Sequence, residues 1–337
     1  MAKKKILAPA LVPVVDRWIE KPQPSILRVL QSELEKVAEV SACVPASCQE
    51  WAKAVRDINI VAGWPKTDEA FLKSAEKLEM IQVFGIGYDY IDVQACTKKG
   101  IIVCNIAEIY SESVAQHAWA LILDLTKHVT KADRSMRTGD WEHEDWMGIQ
   151  LWGKTLGVIG LGHIGGRIAL KGHLAFGMKV LAYDPYVSPE HAQLYGAELA
   201  SLEILLRESD IVSVNVPLTS QTRHLIGGKQ LSMMKKSAFL VNTCRGAVIS
   251  EKALVECLQA GSIRGAGLDV FEAEPLSKDS RLLKMENVVL TPHIASSTTE
   301  AVERTYRAGV ENIIRYLKGQ RPHWVVNPET YGKQDQS

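Results

Sequence analysis

The stretch TLGVIGLGHIGGRIA, residues 155–169, decides the fold. Gly160, Gly162 and Gly165 spell G-x-G-x-x-G after an apolar run that predicts a strand and before a run that predicts a helix. Each glycine has a physical task. Gly160 permits the tight turn, Gly162 lets the backbone approach a pyrophosphate, and Gly165 lets helix and strand pack closely. The helix N-terminus then offers free N–H groups and the positive end of its dipole to phosphates. An acidic residue closes the next predicted strand, in KVLAYDP: Asp184, 19 positions after Gly165. A carboxylate there accepts hydrogen bonds from both adenosine ribose hydroxyls and repels a 2′-phosphate, which predicts NAD over NADP.

Working outward, apolar runs alternate with helical patterns on both sides. After Lys154 the predicted strands are Thr155–Ile159, Lys179–Tyr183, Ile211–Val216, Ala238–Asn242, Gly267–Val270 and Val288–Leu290. Helical patterns separate them at His163–Phe176, Leu202–Glu208 and Glu251–Gln259, which describes a doubly wound parallel sheet. A shorter series precedes it, with strands predicted at Ile6–Ala8, Ile58–Ala62, Ile81–Phe84 and Ile101–Cys104. Ser111 and Ser113 can cap a helix whose middle, Ala118 to Leu123, is apolar all round; such a helix is expected to be buried on every side, between domains or subunits. Ser297-Thr298-Thr299-Glu300 opens a last helix with a capping-box pattern, running to about Leu317.

Composition excludes several roles. The 337 residues suit two domains, and 39 basic against 39 acidic residues leave no net charge, which disfavours a nucleic-acid or membrane-surface role. No stretch approaches the roughly 20 apolar residues of a membrane span, and Lys3-Lys4-Lys5 is not followed by a signal-peptide core. The six cysteines form no CxxC pair and no zinc spacing, so no metal site is expected; they are expected to be reduced thiols of a cytoplasmic protein.

Three later segments end strands in polar groups: VNTCRGAVIS (241–250), GAGLDVFEAEP (265–275) and LTPHIASST (290–298). The carboxyl ends of a doubly wound sheet line its ligand crevice, so Arg245, Asp269, Glu274 and His293 are candidates to converge. Hydride chemistry at a carbinol needs an anion clamp, a proton acceptor and a group that orients that acceptor. Arginine offers a bidentate fork to a carboxylate, and histidine beside a carboxylate offers the acid/base. Glu272 and Glu274 are both available to the histidine, and spacing alone does not choose between them. Asp269 serves equally as a cap on the turn after its strand.

These segments, with FGIGYDYID (84–92), SVAQHA (113–118) and VNVPLTSQTRHLIG (214–227), resemble the D-isomer-specific 2-hydroxyacid dehydrogenases over nearly the whole chain. The resemblance implies a Rossmann NAD domain, 109–298, inserted into a discontinuous flavodoxin-like substrate domain, 1–108 and 299–337. It implies Arg245 as the substrate clamp, His293 as general acid/base and Glu274, not Glu272, as its partner. It places the backbone N–H groups of Ile86 and Gly87 on the substrate carboxylate. It places His163 and Ile164 along the pyrophosphate, Asp269 and the carbonyl of Thr243 or Cys244 on the nicotinamide amide, and Pro217 and Thr222 among the cofactor contacts. The apolar helix would then serve a homodimer interface and hinge. Gln116 and Asn215 depart from the Glu and His common in the family. Ile86 stands where phosphite dehydrogenases use lysine, which argues against phosphite. A small polar 2-oxoacid such as glyoxylate or hydroxypyruvate is the expected substrate, and Trp64 and Lys66 are candidates to face its side chain. Trp141 and Trp146 are candidates to cover the site from a neighbouring subunit. The competing expectations are an NADH-sensing corepressor-like module of the same fold and a short 3-phosphoglycerate dehydrogenase.

Overall fold

The computed structural model describes residues 3–11, 24–141 and 147–335. The chain divides into two compact units, Met1–Tyr110 with Ser297–Ser337, and Ser111–Ser296. Trp146 lies outside the described residues.

In the first unit the strands are β1 (Lys5–Leu7), β2 (Glu39–Ser41), β3 (Ile60–Ala62), β4 (Met80–Gln82) and β5 (Ile102–Cys104). They form a parallel sheet of order β2-β1-β3-β4-β5, the flavodoxin-like order. The central strands are buried on both faces, so IVA and MIQ read as continuous runs. Ile6, Ile60, Met80 and Ile102 point to one face, under the Pro24–Glu35 and Thr299–Leu317 helices. Leu7, Val61, Ile81 and Val103 point to the other. The last helix starts one residue later than the Ser297–Glu300 capping box implies, with Thr298 as the cap, accepting from the Ala301 amide. Val302, Tyr306, Val310 and Ile313 form its buried stripe. Gly309 in that stripe lets the helix reach Phe84, whose ring a Cβ would meet at 2.5 Å.

The second unit holds β6 (Thr155–Ile159), β7 (Lys179–Tyr183), β8 (Ala197–Leu199), β9 (Ile211–Val214), β10 (Phe239–Asn242), β11 (Gly265–Leu268) and β12 (Val288–Leu290). Their parallel order is β12-β11-β10-β9-β6-β7-β8. The order reverses at β6, so the glycine turn after it stands at the topological switch point. β2 and β8 have no counterpart in the sequence reading. Both are three-residue edge strands with a solvent-facing side, so neither carries an apolar run.

Within one chain the Ser111–Lys127 helix is covered on all but one stripe. Val114, Ala115, Ala118, Trp119, Leu121, Ile122 and Leu125 are buried, packing on β10, β11 and the His163–Phe176 helix. Gln116, Ala120 and Lys127 remain exposed along one stripe, because three of the polar-to-small positions recur at helical spacing between the apolar ones.

Candidate active site

The fingerprint turn forms as its glycines require. Gly160 has φ +87°, and a Cβ on it would fall 2.6 Å from the Asn215 carbonyl oxygen. A Cβ on Gly165 would lie 1.9 Å from the Gly160 carbonyl oxygen, so helix and turn are in backbone contact. Gly162 differs: a Cβ there would meet nothing within 4 Å among the described residues. It is the N-cap of the His163–Phe176 helix, so the open space lies at that helix's N-terminus, beside His163 and Ile164 in its first turn. Asp184 is tied to the same turn. Its Oδ2 accepts from the Leu161 amide and its Oδ1 from the Tyr186 amide, both at 2.9 Å.

Further along the sheet, Thr243 is 8% exposed and its Oγ1 has no hydrogen-bond partner among the described residues. A buried orphan hydroxyl costs about 1–3 kcal/mol unless a ligand meets it. The open space at Gly162, the tied Asp184 and the orphan Thr243 together fit a dinucleotide. Other expected contacts are occupied within the protein. Thr222 donates its hydroxyl proton to the Pro217 carbonyl at 2.5 Å, closing the 217–222 turn. The Cys244 carbonyl accepts from Arg245 Nη1 at 2.7 Å. Asn215, one of the family departures, donates to the Ser213 carbonyl, while Gln116 donates to Glu112.

Beyond β11 and β12 the candidate acid/base group assembles. His293 Nδ1 lies 2.7 Å from Glu274 Oε2, and Glu274 Oε1 accepts from the Phe271 amide at 3.0 Å. Burial works against the Glu274 carboxylate, but His293, the Phe271 amide and the nearby Arg245 charge outweigh it and hold the carboxyl below its ordinary range. An ionised Glu274 only accepts, so Nδ1 carries the proton that joins them and Nε2 is left for other chemistry. His293 itself sits at φ +56°, a left-handed conformation that costs a non-glycine residue about 1 kcal/mol. The turn that carries Arg245 packs on the segment that carries Glu274: a Cβ on Gly246 would fall 1.9 Å from the Phe271 carbonyl carbon.

Glu272, the alternative that spacing left open, is engaged elsewhere. It pairs with His224 Nε2 at 2.7 Å and accepts from the Glu251 amide. Asp269 is fully buried and is bonded to the turn around His293. Ile86 and Gly87 belong to the first unit, in the loop after β4, where Asn105 Nδ2 donates to the Ile86 carbonyl at 2.8 Å. His117, unassigned by the sequence reading although it lies within SVAQHA, stands 2.9 Å from Thr291 Oγ1. The one signal for it was a titratable residue flanked at helical spacing by the apolar Val114 and Leu121.

Residues 119–295 match the family described as D-isomer specific 2-hydroxyacid dehydrogenase, NAD binding domain. A glyoxylate reductase of Thermococcus litoralis is 41% identical over 303 residues, covering 88% of this chain and 86% of that protein. A D-3-phosphoglycerate dehydrogenase of Methanocaldococcus jannaschii is 42% identical over 297 residues, 87% of this chain, which spans 56% of that longer protein. The crystal structure of D-lactate dehydrogenase from Aquifex aeolicus, complexed with NAD and lactic acid, superposes with TM-score 0.81 at 32% identity, covering 94% of this chain and 96% of that one. The chain belongs to the D-isomer specific 2-hydroxyacid dehydrogenases, a family of NAD-dependent oxidoreductases.

Proposed function

We propose that this protein interconverts a small 2-oxoacid and its D-2-hydroxyacid, with glyoxylate and hydroxypyruvate as the first candidates. The carrying observation is the His293–Glu274 pair at 2.7 Å, past the carboxyl ends of β11 and β12 in the same parallel sheet whose β6 leads into the glycine turn. Arg245 holds the substrate carboxylate and polarises the carbonyl with its guanidinium. In reduction His293 gives the Nε2 proton to the carbonyl oxygen, and in oxidation it takes the proton back. Glu274 fixes the tautomer through Nδ1 and stabilises the imidazolium. Asp184 engages the adenosine ribose, His163 and Ile164 flank the pyrophosphate, and Thr243 with Asp269 lies on the nicotinamide side. The nicotinamide cofactor, when bound, would supply a hydride to the substrate carbon as NADH or accept one from it as NAD.

Two further points accompany this reading. We place a homodimer contact on the second unit. Val129, Met136, Trp141, Met147 and Trp152, all more than half exposed, fall within one short stretch of chain. We also infer a cytoplasmic location, supported by the six free cysteines. No helix among the described residues is long and apolar enough to cross a membrane.

The test is NADH oxidation against a panel of 2-oxoacids that includes 3-phosphohydroxypyruvate, with wild type and His293→Ala. Wild type should turn over at least one small 2-oxoacid, and His293→Ala should lose about 100-fold or more in kcat while still binding NADH. Near wild-type turnover by His293→Ala removes the acid/base assignment. Preference for 3-phosphohydroxypyruvate replaces the proposed substrate, and tight NADH binding with no turnover of any member points to a binding module.

A further inference from the structure

Asp269 has more hydrogen bonds than a cap on one turn needs. Its Oδ1 accepts from Thr291 Oγ1 at 2.7 Å and from the Ile294 amide at 2.9 Å, and its Oδ2 accepts from the Ala295 amide at 2.9 Å. Its backbone carbonyl accepts from the His293 amide at 2.8 Å. All four donors belong to the 291–295 turn, and His293 stands in the middle of it. The carboxylate itself is fully buried, so water does not compete for these bonds.

His117 completes the arrangement from the Ser111–Lys127 helix. Its Nε2 lies 2.9 Å from Thr291 Oγ1 and 3.5 Å from Asp269 Oδ1. The threonine hydroxyl has one proton, and it goes to Asp269. The contact with His117 is therefore made by an Nε2–H that donates to Thr291. Burial holds the His117 imidazole below its ordinary pKa against the pull of Asp269, in keeping with a neutral ring. The bonds run in one direction, from His117 to Thr291 to Asp269, and end on the carboxylate that holds the backbone after His293. Glu274 orients the His293 ring through Nδ1, but the φ of +56° means that the backbone beneath the ring must be held as well.

We propose that Thr291, oriented by His117 and clamped to Asp269, is a positioning residue that fixes where the His293 imidazole stands. The assignment rests on His293 being the acid/base of the proposed reaction. A valine at 291 keeps the shape of the side chain, leaves His117 without its acceptor and removes one donor from Asp269. A displacement of His293 by a fraction of an ångström lowers the rate of the proton-transfer step and leaves binding in place.

The experiment compares Thr291→Val, Thr291→Ser, His117→Leu and His293→Ala in steady-state kinetics, NADH binding by fluorescence and thermal melting. Thr291→Val should lower kcat by about tenfold, with the KM of the 2-oxoacid and the Kd of NADH within about twofold of wild type. Thr291→Ser, which restores the hydroxyl, should return kcat to within about twofold. His117→Leu should lower kcat in the same direction, and it carries the test if Thr291→Val does not fold. Wild-type kcat in Thr291→Val overturns the proposal, as does a Thr291→Ser enzyme as slow as the valine variant. A loss confined to KM or to NADH affinity also overturns it. His293→Ala separates the two readings. If it is inactive while Thr291→Val is normal, only the positioning role falls. If it is active, the acid/base assignment falls and takes the positioning role with it.

Discussion

Gly162 and Gly165 are three residues apart in one motif, yet a methyl group added to each would meet opposite surroundings. At Gly162 it would point into open space, and at Gly165 it would lie 1.9 Å from a carbonyl oxygen. The first glycine therefore keeps room for a ligand, and the second keeps the helix against the turn. Gly162→Val should leave the melting temperature near that of wild type and weaken NADH binding by about tenfold or more, because the side chain fills the space at the helix N-terminus. Gly165→Val should cost about 3 kcal/mol of stability in denaturant unfolding, because backbone must move to admit it. Equal stability of the two variants would remove this division of labour. The spacing of the triplet was legible in the sequence; the empty side of Gly162 was not. The same holds for Glu272 and Glu274, two residues apart and chemically alike. Their assignment to His224 and to His293 depends on where two distant histidines fall.

At the scale of elements, the central strands were legible because burial on both faces makes them apolar without interruption. β5 shows the consequence for chemistry. Cys104 at its end is fully buried, with its thiol pushed up to about 12 by burial, and Cys96 in the preceding helix is pushed up to about 11. The thiolate is the reactive form, so both groups stay protonated and unreactive across the neutral range. Cys43 and Cys48 are exposed. Thiol labelling at pH 8 should modify Cys43 and Cys48 first, and Cys104 only at the rate at which β5 opens. Mass spectrometry of partially labelled protein checks this, and early modification of Cys104 would mean that β5 is less protected than its packing requires. The edge strands β2 and β8 were not legible, since half their residues face water and carry no periodic signal. The open stripe of the Ser111–Lys127 helix was not legible for a related reason. Small residues such as Ala120 count as apolar in a sequence, although they sit equally well on an open face.

For the whole molecule, the exposed stripe of that helix and the apolar residues of 129–152 bear on the proposed homodimer. Charge placed there should break it: Val129→Lys combined with Met136→Lys should convert a dimer to a monomer in sedimentation at micromolar concentration. A wild-type protein that sediments as a monomer refutes the dimer. The sequence by itself determined the class of the molecule: two parallel sheets wound with helices, and a dinucleotide turn at 160–165. Those features rest on local physics, namely the period of apolar residues, the conformational freedom of glycine and the capping of helix ends. The tertiary structure decided the partners. It joined His293 to Glu274, gave Glu272 to His224, and brought His117 to Thr291 across 174 residues of chain. It also set the order of the strands that places the glycine turn at a switch point. Hydrogen bonds of this kind depend on positions fixed to a few tenths of an ångström by packing of the entire unit, and no short window of sequence contains that information.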